Sequence, residues 1–173
     1  GITAQAMTPE EAQAVIPETG LNIGGAVFYP QDWNLSPYKF VAGLAEQASA
    51  LGVDIRSGTE VIGFDRNGSQ VSAVRTTRGD FRPREIVLAA GSWSPLMADQ
   101  LELRLPIQAG KGYSISYKAP PNAPLVPLSL GEARVGVSKM GDTLRFAGTM
   151  ELSGLNLNIN ATRVRAILKA VPD

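Results

Sequence analysis

Residues 86–95 read IVLAAGSWSP. An apolar, β-favouring run shrinks to two alanines and a glycine, then meets a tryptophan and a Ser-Pro. The continuous apolar character of 86–90 predicts a strand buried on both faces, as in a parallel sheet. Its end, Ala89-Ala90-Gly91, has almost no side chain. A second backbone or a phosphate can therefore come close to the main chain there, and ligands commonly sit beyond the carboxyl ends of such strands. The same residues also suit a tight strand-to-helix turn with Trp93 as local core, and taken alone they leave both readings open. Ser94-Pro95 can start a short helix.

Upstream, the period of the pattern changes twice. MTPEEAQAVIP (7–17) predicts a helix capped by Thr8, with Pro9 at its first position and two acids in its first turn. GGAVFYP (24–30) predicts a strand. NLSPYKFVAGLAEQASALGV (34–53) is the clearest helix: Ser36 caps, Pro37 starts, and Phe40, Val41, Leu44, Ala48 and Leu51 share one stripe. Gly52 suits the left-handed closing position, and Gly43 suits close packing on a sheet. Alternation then takes over. VDIRS (53–57), TEVIGFDR (59–66) and QVSAVRTT (70–77) predict strands, the last two joined at Asn67-Gly68, a strong hairpin signal. Arg78-Gly79 turns the chain again before 86–90. Strand, helix, strand, hairpin and buried strand together predict an α/β layer carrying a β-meander.

Downstream, four segments separated by Pro- and Gly-containing turns predict antiparallel strands: LRLPIQAGKGYSISYK, PLVPLSL, ARVGVSK and TLRFAGTME. Met140-Gly141-Asp142 joins the last two as a hairpin. NINATRVRAILKAVP predicts a helix capped by Asn160, with Val164, Ile167, Leu168 and Val171 as its stripe. The fold class expected is therefore α/β (α+β), with two interwoven lobes and flanking helices.

The totals exclude several kinds of chemistry. Hydrophobic residues make up 44% and charged ones 18% of 173, so wholesale disorder is not expected. Formal net charge is zero, which offers no basic face for nucleic acid. There is no cysteine and no histidine. Disulfides, thiolate nucleophiles, Cys-ligated metals and Ser-His-Asp machinery are all ruled out within these residues. No run approaches the ~20 apolar residues of a membrane-spanning helix. Neither G-x-G-x-x-G nor G-x-x-x-x-G-K-[ST] occurs. The acids Glu10, Glu11, Glu132 and Glu151 show no spacing that marks acid–base work and are expected at solvated surface. Lys111 and Tyr113 are expected to point at water and at the core.

Three stretches in register go further: SPYKFVAGLAEQASALGVDIRSGTEVIGF, IVLAAGSWSPLM and LPIQAGKGYSISY. Together they resemble the FAD-dependent D-amino acid oxidase and dehydrogenase superfamily, which includes glycine and sarcosine oxidases. The tail, ARVGVSKMGDTLRFAGTMELSGLNLNINATRVRAILKAVP, looks most like its bacterial D-amino acid dehydrogenase branch. The resemblance implies an FAD-binding lobe and an antiparallel substrate lobe woven along the chain: 1–30 begins the substrate lobe, 31–98 belongs to the FAD lobe, and 99–173 returns to the substrate lobe. It implies that Val61 meets the adenine of FAD through its backbone, and that Ala89, Ala90, Gly91 and Trp93 lie along the cofactor near its phosphates and ribityl chain. No catalytic side chain and no metal is implied.

The implied chemistry is hydride transfer from an amino acid or amine to the flavin, with oxygen or a quinone as electron acceptor, an Arg on the substrate carboxylate and a Tyr nearby. The implied location is cytoplasmic or peripheral to the inner membrane. The family's glycine fingerprint would precede this region, and a segment with a carboxylate-binding Arg would follow it. A position where relatives often carry a pocket Tyr is Ala133 here. The resemblance therefore implies an interior piece of a longer enzyme, expected by itself to be inactive and to bind FAD weakly or not at all. Two rivals remain: a glycine- or sarcosine-type amine oxidase, and a stand-alone domain that has lost FAD.

Overall fold

The computed structural model describes residues 1–170. The chain forms two compact units. One comprises Gly1–Ala42, Gly112–Glu151 and residues from Asn158 onward; the other comprises Gly43–Lys111 and Leu152–Leu157.

The first unit begins with a strand the sequence did not announce. β1 (Gln5–Met7) pairs antiparallel with β2 (Ala26–Phe28). Between them α1 (Pro9–Val15) starts on a capping box. Thr8 Oγ1 accepts from the Glu11 amide at 3.3 Å, and Glu11 Oε2 accepts from the Thr8 amide at 2.8 Å. Gln13 then fixes the exit, with its Nε2 donating to the carbonyls of Ile16 and Thr19, both at 2.8 Å.

Four further strands of this unit form one sheet in the order β6-β9-β8-β7. They are β6 (Lys111–Lys118), β7 (Leu128–Leu130), β8 (Val135–Met140) and β9 (Thr143–Glu151). β8 and β9 form a hairpin in which Met140 faces Thr143 across Gly141-Asp142, and Gly141 takes the positive φ of 62° that such a turn needs. One sheet face is apolar. Tyr113, Val135, Val137, Leu144 and Phe146 pack with Ile167 of α4 (Ala161–Leu168), a residue fully buried at 0% exposure. Gly148 keeps this corner tight: a Cβ there would lie 3.0 Å from Val135 Cγ2 and 3.1 Å from the Arg134 carbonyl, so a larger residue would have to push these neighbours aside. α4 is capped as expected, Asn160 Oδ1 accepting from the Thr162 amide at 3.0 Å. Its stripe holds at Val164 and Ile167, Leu168 stays largely exposed, and Val171 lies outside the described residues.

Glu151 corrects an expectation. It is not solvated: its side chain is 13% exposed and sits in an ion pair with Arg163 at 2.9 Å. Tyr113 Oη donates to it at 3.0 Å and accepts from the Asn160 amide at 3.2 Å. One tyrosine thus ties the end of β9 to the start of α4.

The second unit is built around the meander β3 (Val61–Asn67), β4 (Gln70–Thr76) and β5 (Gly79–Phe81). Asn67 pairs with Gln70, and Gly68 has φ 61°. The helix α2 (Pro37–Ala50) begins in the first unit and runs into the second; it starts at Ser36, whose carbonyl accepts from the Phe40 amide at 3.0 Å. It closes on Gly52 at φ 92°, with the Val53 amide returning to the Ala48 carbonyl. None of its residues is buried, and a Cβ on Gly43 would meet nothing within 4 Å, so the close packing expected there is not made.

Three predicted strand segments are irregular chain. Residues 53–57 form no ladder; instead Arg56 pairs with Asp54 at 2.7 Å and lies over the Phe81 ring at 4.8 Å. Residues 103–110 are not extended into β6, which begins only after Gly110. Most consequentially, 86–90 is neither a strand nor buried, with Val87 89% exposed. A strand exists by its backbone partners, and no described strand pairs with these residues. The chain then makes a 3-10 turn at Gly91–Trp93 and enters α3 (Ser94–Asp99), as Ser94-Pro95 predicts.

Candidate functional site

The four neighbouring residues expected to border a ligand, Ala89, Ala90, Gly91 and Trp93, form one continuous approach to α3. Two features distinguish it from a packed turn. Gly91 is left-handed, at φ 54°, and a Cβ built on it would meet nothing within 4 Å. Trp93 is 54% exposed, so it is not the local core that a plain turn would make of it. Residues 89 and 90 carry only methyl groups, Gly91 carries no side chain, and the Trp93 indole is exposed. Ser94 and Ala98, by contrast, are buried and anchor α3. A rigid helical start thus presents a bare segment of backbone, which suits close approach by a flat or phosphorylated group.

Val61 stands elsewhere in the same unit. It opens β3, opposite Thr76, and a register shift follows before Gly63. Just before it, the Glu60 amide donates to Thr77 Oγ1 at 3.1 Å and the Thr77 amide to the Glu60 carbonyl at 3.0 Å. Its backbone is therefore held firmly. Ala89, Ala90, Gly91 and Trp93 are neighbours along the chain, and Val61 belongs to the separate strand β3.

A cavity of about 1040 Å³ in the first unit was not anticipated. It is lined by Tyr117, Ala123, Leu144 and Phe146 among others, with Ala133 at its wall. Its lining contains no histidine, cysteine or serine. The signal for it was present in the sequence as the alternating apolar residues of β8 and β9. What could not be read was that the Pro-rich loop 120–124 would line it too, with Ala123 buried among the core residues of β8 and β9. Two contacts hold that loop: Thr19 Oγ1 donates to the Asn122 carbonyl at 2.7 Å, and Glu18 Oε1 accepts from the Leu125 amide at 2.8 Å. The Leu125 amide holds the Glu18 carboxyl below the ordinary glutamate range. Among the described residues no group of three or more His, Cys, Asp or Glu is placed to hold a metal ion, and no helix is long and apolar enough to cross a membrane.

Known proteins resolve what geometry alone leaves general. The family model described as FAD dependent oxidoreductase matches residues 1–173. A D-amino acid dehydrogenase of Paramagnetospirillum magneticum is 36% identical over 173 residues, covering 97% of this chain. Another, of Sinorhizobium medicae, is 31% identical over 153 residues. The chain spans 41% and 37% of the length of these two relatives. Among solved structures, glycine oxidase from Bacillus cereus superposes with a TM-score of 0.81 at 22% identity, covering 98% of this chain and 47% of that one. L-proline dehydrogenase from P. horikoshii gives 0.80 at 20% identity, covering 98% and 47%. At those identities the likeness is one of fold. Mixed helices and antiparallel sheets of this arrangement are shared across these oxidoreductases.

Proposed function

The chain belongs to the FAD dependent oxidoreductase family, and we propose that it is an interior part of an enzyme that oxidises D-amino acids. The single observation that carries this reading is the 36% identity to a D-amino acid dehydrogenase across 97% of the chain. The glycine oxidase likeness stops at fold, so a D-amino acid is favoured over glycine or sarcosine as substrate. A stand-alone domain without FAD is disfavoured by the bare main chain at 89–91, which has no structural need to stay uncovered. The apolar surface left open on α2 and at 86–87 suits a chain whose remaining partners belong to a longer protein.

Bound FAD would supply the hydride-accepting chemistry. The chain's own residues do the holding. Ala89, Ala90 and Gly91 keep the backbone accessible along the cofactor. The Trp93 ring packs beside it. Val61 offers a backbone position fixed by the neighbouring Glu60–Thr77 bonds. Substrate binding falls to the four-stranded sheet of the first unit. The electron acceptor is oxygen or a quinone, and the enzyme works in the cytoplasm or at the inner membrane surface.

The test uses the full-length protein. A flavin absorbance spectrum and a panel of D-amino acids with an artificial electron acceptor should show bound flavin that D-amino acids reduce. Protein without flavin, or flavin reduced by glycine or sarcosine alone, overturns the reading. Gly91→Val should abolish flavin retention, although a branched residue at φ 54° also adds strain of about 1–2 kcal/mol. Ala90→Leu separates the two effects, because Ala90 has an ordinary φ of −85°. It should lose flavin through bulk alone while far-UV circular dichroism stays unchanged.

A further inference from the structure

The cavity of about 1040 Å³ in the first unit lies on the side of the four-stranded sheet that α4 closes. Val137, Leu144 and Phe146 belong both to its lining and to the core around Ile167. Its floor is continuous. Leu128, Val137 and Phe146 are neighbours along one row across three strands. Tyr117 meets Phe146 edge to face, with ring centroids 6.1 Å apart. The bonds from Thr19 and Glu18 fix the loop that completes the lining. The space is therefore bounded by hydrogen-bonded chain. Its size matches the upper end of ligand pockets, roughly 300–1,000 Å³.

Charge at the rim is not balanced. Lys118 ends β6 and Lys169 follows α4; both line the cavity and both are exposed. Glu132, also exposed, is the one carboxylate among the described lining residues. None of the three forms an ion pair among the described residues. Two lysines against one acid leave a positive charge in excess. A lysine lays its stem on apolar surface and keeps its ammonium in water. An apolar interior thus opens through a cationic, solvated mouth. Its complement is a single apolar chain with an anionic head.

We propose that this cavity binds the tail of a free medium-chain fatty acid, whose carboxylate is held at the rim by Lys118 and Lys169. The site is separate from that of the amino-acid substrate. A lysine ammonium acts there as a point charge on a flexible stem, which suits a head group that stays in water. The tail lies on the row of Leu128, Val137 and Phe146.

The experiment uses the full-length protein. Calorimetry measures decanoate, hexanoate and decanol on wild type and on the double variant Lys118→Gln/Lys169→Gln, whose melting temperature should match wild type because both positions are exposed. Decanoate should bind saturably, with a dissociation constant of about 10–100 μM. Hexanoate, four methylenes shorter, should bind about 100-fold more weakly. The double variant should weaken decanoate about 10-fold and leave decanol unchanged. KM for D-alanine at saturating decanoate should move by less than about 2-fold, since a ligand at a separate, uncoupled site shifts nothing. Absence of saturable decanoate binding, as when a later segment of the longer chain fills the cavity, overturns the proposal. So do equal losses for decanoate and decanol. Decanoate that competes with D-alanine sits in the substrate's own site and overturns it too. Wild-type flavin that D-amino acids fail to reduce overturns the oxidase reading and leaves the calorimetric result standing.

Discussion

α4 and α2 each carry an apolar stripe at helical spacing, and their circumstances are opposite. On α4, Ile167 is fully buried against β8 and β9, and the helix start is tied to the sheet through Tyr113 and Asn160. On α2, Phe40, Val41 and Leu44 are all exposed, and so is Leu51 just past its end, at 86%. The helix still forms, because its cap, its proline and its closing glycine are local. Periodicity thus reports which face of a helix is made for burial. It does not report whether the covering element is at hand.

The largest expected departure between the two helices is at the buried residue. Ile167→Ala should destabilise the first unit by about 2–5 kcal/mol, read as a lower urea midpoint. If the loss is below about 1 kcal/mol, the corner is not the core described. Next comes the polar tie. Glu151→Gln keeps shape and removes charge, and should cost about 1–3 kcal/mol by weakening the bonds to Tyr113 and Arg163. On the other helix, Leu44→Ala should change stability by no more than about 0.5 kcal/mol in the 173-residue chain. The same change should cost clearly more in the full-length protein if that face is covered there; equal small effects in both would leave the stripe unexplained.

The smallest effect is one of pH. The Glu18 carboxyl is held below its usual range, chiefly by the Leu125 amide. The stabilisation is therefore complete above the ordinary glutamate range and fades as acid carries the pH down through the lowered value. Amide exchange at Leu125 should quicken over that interval in wild type and show no such step in Glu18→Gln.

Local signals carried most of what was legible. Thr8, Ser36, Gly52, Asn67-Gly68, Gly141 and Asn160 all do what their residue types predict, because caps and tight turns are decided within a few residues. Of the candidate site, the small side chains of Ala89, Ala90 and Gly91 were legible, and their place along a cofactor is the reading proposed above. Two further features were not legible. The strand at 86–90 failed because a ladder depends on partners far away in sequence. Glu151 was misjudged because its burial depends on one left-handed threonine and on an arginine in another element. Both errors concern relations between distant segments, which composition and periodicity do not encode.

The bonds from Glu18 to Leu125 and from Thr19 to Asn122 join positions 107 and 103 residues apart. During synthesis at roughly 5–20 residues per second, the N-terminal hairpin must wait several seconds before its tethers leave the ribosome. The meander from Val61 to Phe81 lies wholly within that interval and closes only short loops. The order of emergence therefore lets the middle of the chain gain structure before the two ends that flank it can meet.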